Sequence, residues 1–179
     1  MSLADLIPFA NRSPGLSSGE IDAAQDQTGV RFPPDLCELL TETLPVGAQF
    51  PDWRHHARAS FEEFRQQLIE GIEFDAIHNA VWLTSWGEKP SDQAELRAVV
   101  RASVLPAPAV IPIYAHRGIP NEPLEVGNPV FSIMQTDIIV YGADLANYLR
   151  NEFGPASQRD HSPPARSIRF WTELLKAGI

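Results

Sequence analysis

Any chemistry in this chain would have to come from its five histidines and the carboxylates near them: His55, His56, His78, His116 and His161. Adjacent residues on a helix or strand point apart, so His55 and His56 do not converge on one metal ion. Two exposed loop histidines are the simpler reading. His116-Arg117 follows a β-rich run that ends at Tyr114, and Gln135 and Asp137 lie where another such run ends. If those strands are neighbours, Tyr114, His116, Arg117, Gln135 and Asp137 form one polar patch. Within it, His116 and Asp137 could work as a general acid–base pair. The alternative, which we favour, is that Asp137 and Arg117 lock loops through hydrogen bonds and an ion pair. Cys37 sits on an apolar-flanked helical segment, where an inert buried thiol is expected.

The sequence has no glycine-rich phosphate loop, no Gly-x-Ser-x-Gly elbow, no His-Glu-x-x-His and no paired cysteine ligands. It therefore predicts no catalytic residues, no cofactor, no metal and no enzymatic activity. The runner-up is a hydrolase-like site built on His116 and Asp137.

The elements that must carry these residues follow from periodicity and punctuation. Ser17 and Glu20 form a capping box for a short helix that Gly29 ends. Pro34 and Asp35 open a second helix that buries Leu36, Leu39 and Leu40 and is ended by Pro45 and Gly47. Ser60 and Glu63 read as another capping box, ahead of Phe61, Phe64, Leu68, Ile69 and Ile72. Ser91 opens a fourth helix in which Leu96, Val99, Val100 and Ser103 share a face. Residues 110–114, 130–135 and 137–141 read as strands, with Pro112 pushing the first toward an edge or a bulge and Thr136-Asp137 joining the other two. A helix from about Ala143 uses Leu145, Tyr148, Leu149 and Phe153, a polar loop spans 154–164, and an amphipathic helix covers about 167–177. Helices, then strands, then helices again predict one α+β domain over 1–179, a central and mostly antiparallel sheet flanked by helices. Its core spans about 20–153, with the last helix packed on it.

The 179 residues are enough to bury a core without disulfides, and Cys37 is the only cysteine. The first residues lack a basic start and no apolar run approaches a membrane span, so a cytoplasmic, membrane-free location is expected. Net charge is −9, and from Asp35 to Glu88 ten carboxylates face three arginines. That sign disfavours nucleic acid and favours a basic protein partner. The surface residues expected to meet such a partner are Asp52, Trp53, Arg54, Glu62, Glu63, Asp75, Trp82 and Trp86. The indoles of Trp53, Trp82 and Trp86 serve either core packing or a binding surface.

Several runs together resemble one subgroup of the SUKH superfamily. They are Phe50-Pro51-Asp52-Trp53-Arg54; Gly71-x-x-Phe74-Asp75-x-x-x-Asn79-x-x-Trp82-x-x-x-Trp86-Gly87; Pro112-Ile113-Tyr114-x-His116-Arg117; and Gly127-Asn128-Pro129-Val130-Phe131-Ser132-x-x-Gln135-Thr136-Asp137-Ile138-Ile139-x-Tyr141-Gly142. The Phe32-Pro33-Pro34-Asp35-Leu36 opening is similar too, while Gly118-Ile119-Pro120 departs from the subgroup's pattern. The resemblance, over about residues 20–153, implies an α+β fold and a non-enzymatic role. In bacteria that role is immunity by direct binding of a toxin. A fungal branch is similar to a regulator of cell-wall synthesis acting through protein contacts, so a regulatory scaffold with a non-toxin partner is the alternative. The resemblance supplies no catalytic residues.

Overall fold

The computed structural model describes residues 2–160, 162–164 and 166–177. His161 lies outside the described residues. Chain order is β1 (Arg12–Pro14), α1 (Ser18–Thr28), α2 (Pro34–Glu42), β2 (Thr43–Pro45), α3 (Ala57–His78), α4 (Gln93–Val104), β3 (Val110–Tyr114), β4 (Arg117–Pro120), β5 (Val130–Met134), β6 (Asp137–Gly142), α5 (Leu145–Phe153) and α6 (Trp171–Ala177), with short 3-10 turns between. The fold is a single α+β domain. β1 pairs with β2, and β3-β4-β5-β6 form an antiparallel meander.

Alternation along the strands divides the core in two. Ile111, Ile113, Ile119 and Val130 pack with α1, α2 and α5, whereas Val110, Phe131, Ile133 and Ile138 pack with most of α3, α4 and α6. The Ser17–Glu20 capping box and the left-handed Gly29 bound α1 as the sequence predicts. Pro112 sits on the edge strand, beside a register shift between Pro112 and Tyr114.

Several boundaries differ. The α2 segment ends at Glu42 and continues as β2, because Thr43–Pro45 finds a partner in β1. Helix α3 begins at Ala57, so Ser60 is inside it and accepts a hydrogen bond from the Asp52 N–H at 3.1 Å instead of capping. Asp92, not Ser91, caps α4, and α6 is shorter than its amphipathic pattern. Strand β4, hidden by Gly118 and Pro120, pairs with both β3 and β5. The β5–β6 connection is Gln135-Thr136, one residue earlier than expected.

Helix α3 fixes the relation between the layers. Gly71 lies against the β5–β6 turn, where an added Cβ would be 2.9 Å from the Gln135 Cα. One turn on, buried Asp75 receives the Thr136 N–H at 2.8 Å, the Thr136 hydroxyl at 2.5 Å and the Asn79 amide at 2.6 Å. Glu73, fully buried, faces α4, where Arg97 Nη1 and Arg101 Nε lie 2.7 and 2.6 Å from its oxygens.

Burial alone would raise the Asp75 carboxyl, but the bonds from Thr136 and Asn79 outweigh it and hold the group below its usual range. Its stabilising effect is therefore present at neutral pH and is lost as pH falls through that lowered value. Asp75→Ala, which strands the Thr136 N–H, is expected to lower the unfolding free energy by about 3 kcal/mol in urea titrations at neutral pH. The gap to the wild type should close as both are titrated into strong acid.

Candidate functional site

Two hairpin turns stand side by side at one end of the sheet. Ala115-His116 joins β3 to β4 and Gln135-Thr136 joins β5 to β6, and Ala115 and Gln135 have φ of 48° and 60°. Left-handed backbone is unfavourable for residues with a Cβ, and such strain concentrates where structure over-determines it. The α3 face carrying Phe64, Gln67 and Leu68 closes a hollow of about 250 Å³ against these turns. A second hollow of about 380 Å³ shares Phe64, Gln67 and Ala115 and runs on to Glu63, Ser60 and Pro51. Together they form one groove between α3 and the sheet end.

His116 and Gln135 of the expected polar patch both line this groove. Tyr114 and Arg117 turn away from it into a buried cluster against α5. There the Arg117 guanidinium lies 4.3 Å above the Tyr141 ring, donates to Ser132 Oγ at 3.1 Å, contacts His116 Nε2, and has its Nε 3.4 Å from Glu152. The Tyr148 hydroxyl is buried in the same cluster and has no hydrogen-bond partner among the described residues. Burial, with the Glu152 charge second, pushes it far above the usual phenol value. Asp137 is exposed at the start of β6, and among the described residues no hydrogen bond or ion pair joins it to His116 or Arg117. The acid–base pair and the Asp137–Arg117 lock are thus both replaced by an Arg117–Glu152 pair. Glu152 carried no sequence signal beyond its place on an amphipathic helix.

The surface set divides as well. Trp53 is 3% exposed and packs edge-on to Phe32, with ring centroids 5.0 Å apart, so it belongs to the core. Asp75 is internal for the reasons above. Arg54 ties down the N-terminal segment, pairing with Glu20 at 2.8 Å and donating to the Pro14 and Gly15 carbonyls. Asp52 closes a turn, accepting from the His55 N–H at 3.0 Å and lying 2.8 Å from His56 Nδ1. Asp52, Arg54 and His55 line a third hollow of about 290 Å³ with Val46 and Phe50. Trp82 and Trp86 are half-buried in a loop with a 3-10 turn, stacked edge to face at 5.1 Å, and the Trp82 indole donates to the Gly87 carbonyl.

Glu62 and Glu63 are exposed on α3. With Gln66, Gln67, Glu70, Phe74 and His78 they make a continuous solvent-facing stripe at helical spacing. Phe74 is 46% exposed and stacks on His78 at 4.6 Å. Sequence reading missed Glu70 and Phe74 for this surface, although their i+4 spacing from Gln66 and Glu70 was visible. Asp35, Glu73 and Asp75 are buried, so the acidic stretch presents seven carboxylates to solvent, not ten.

His116 is held below the ordinary histidine value, first by burial and then by the Arg117 charge, against an opposing pull from Glu152. In a proton-NMR titration its ring is expected to titrate below about 6.5, and Arg117→Gln should raise that value. Because the folded value is depressed, its contribution to stability is present above the unfolded value and is lost as pH falls through the folded one.

No family model, curated protein or solved structure matches this chain.

Proposed function

We propose that this chain is a non-enzymatic protein-binding domain of the immunity type, which neutralises a basic toxin domain by direct contact. The observation that carries the reading is the outward stripe of α3. Glu62, Glu63 and Glu70 project from a helix whose other sides are occupied by the sheet and by α4, and among the described residues their one ion pair is the exposed Arg58–Glu62 contact at 3.8 Å. Beside them Phe74 offers an exposed aromatic anchor, and the groove along Glu63 and Gln67 offers a concave wall. Acidic charge around an apolar anchor speeds encounter with a basic surface and then holds it once water is excluded. The resemblance to a subgroup of the SUKH superfamily, many of whose bacterial members look like toxin-binding immunity proteins, supports the same reading. His116, in contact with Arg117 and with no hydrogen bond to Asp137 among the described residues, does not favour the hydrolase alternative.

An affinity pull-down from the source organism, at about 50 mM and then about 500 mM salt, tests this. One basic protein near stoichiometric yield at low salt, released at high salt, is expected. The triple variant Glu62→Lys, Glu63→Lys, Glu70→Lys should melt as the wild type does yet bind the purified partner at least about tenfold more weakly. Relief of that partner's toxicity on co-expression separates immunity from a regulatory scaffold. Equal binding by the triple variant, or no partner at either salt, would overturn the proposal.

A further inference from the structure

The groove between α3 and the sheet end has a one-sided chemistry: its free polar groups are mostly acceptors. Glu63 has no ion pair among the described residues, and its carboxylate receives only the Gln67 side-chain N–H, at 3.4 Å. That bond leaves the Gln67 amide oxygen free to accept. The Gln49 carbonyl takes one bond, from the Ala115 N–H at 2.7 Å, and keeps a second lone pair. Among the described residues no lysine or arginine lines either hollow. His116, the one lining group that can become a cation, is already in contact with Arg117. Phe64 borders both hollows, with the tip of its ring aimed at Gly118 of β4, so its flanks face the groove. The opposite wall is held in place, Ala115 by its bond to Gln49 and Gln135 by close packing against Gly71.

We infer that this groove receives an arginine side chain of the basic partner, its guanidinium set against Glu63 and the flank of Phe64. The inference rests on the reading that a basic protein docks on α3, and it names the anchor that partner uses. A guanidinium has five donors and no acceptor, which matches a wall of acceptors around one carboxylate. Its plane stacks on an aromatic flank, and Phe64 supplies one. The methylenes of the same side chain suit the apolar lining of Leu68, Pro112 and Met134. An apolar anchor would instead cover Glu63 and leave its charge dehydrated and unpaired. A lysine ammonium is a compact, strongly hydrated charge, and it cannot stack while reaching several spread acceptors. At about 380 Å³ the larger hollow has room for an arginine side chain. Because the wall is already fixed, little further ordering is required on binding.

N-acetyl-L-argininamide is a probe that needs no partner protein. In amide NMR spectra of the isotope-labelled chain it should shift Glu63, Gln67, Ala115 and Gln135 saturably, half-complete on the order of 10 mM. N-acetyl-L-lysinamide should bind at least about fivefold more weakly at the same ionic strength. Glu63→Gln should melt as the wild type does and weaken the argininamide at least about fivefold. Gln67→Trp, which fills the groove from an exposed position, should abolish the shifts and weaken the protein recovered at low salt at least about tenfold. The absence of saturable shifts up to about 50 mM, equal binding of the lysine compound, or an unaffected Glu63→Gln variant would rule the inference out. If the pull-down recovers a partner that the triple variant loses while argininamide does not bind, the arginine anchor fails and the immunity reading stands. If argininamide binds as described and no partner is recovered, the arginine site stands and the immunity reading falls.

Discussion

Glu73 and Asp75 leave the same turn of α3 about 200° apart, as a helical rise of two residues requires. One carboxylate reaches Arg97 and Arg101 on α4, and the other reaches the Thr136 turn of the sheet. Both are buried, and a buried charge is tolerated only where partners surround it. Their positions therefore fix the rotation of α3 about its axis and its height above the sheet. Gly71, one turn before Asp75, permits the close approach that lets the second carboxylate reach its partner. With that rotation set, the outward side of α3 and the groove beneath it have no freedom left.

Much of this was legible in the chain. Capping at Ser17 and Glu20, the Pro34 start, and the β-rich runs 130–135 and 137–141 are local signals, and they gave their elements nearly to the residue. Strand β4 was not legible, because Gly118 and Pro120 are poor strand formers by propensity. Gly118 is accepted because a side chain there would run into Val110 first, and then the Ile111 carbonyl and Phe64 of α3. The misread start of α3 has a similar origin. Ser60 resembles a cap, but its hydroxyl is taken by the Asp52 N–H across the preceding turn.

The candidate site was legible only in part, for a related reason. Residue type shows that a carboxylate or an indole exists, and tertiary packing decides which way it faces. Trp53 and Asp75 were placed among the partner-facing residues, yet each is drawn inward by a contact distant in sequence, with Phe32 and Thr136 respectively. Arg117 was matched with the nearby Asp137 when its partner, Glu152, lies on α5. Gln135 and His116 were rightly grouped, since both close two-residue turns of adjacent hairpins.

The outward residues of α3 share no atoms with those that hold it. Glu62, Glu63, Glu70 and Phe74 could each be exchanged while the Glu73 and Asp75 attachments stay whole. Lineages descending from such a chain can drift in what they recognise without drifting in shape. Most single substitutions along that stripe fall in the near-neutral range for exposed positions. Variation among related sequences would thus concentrate on one side of a helix whose opposite side stands still.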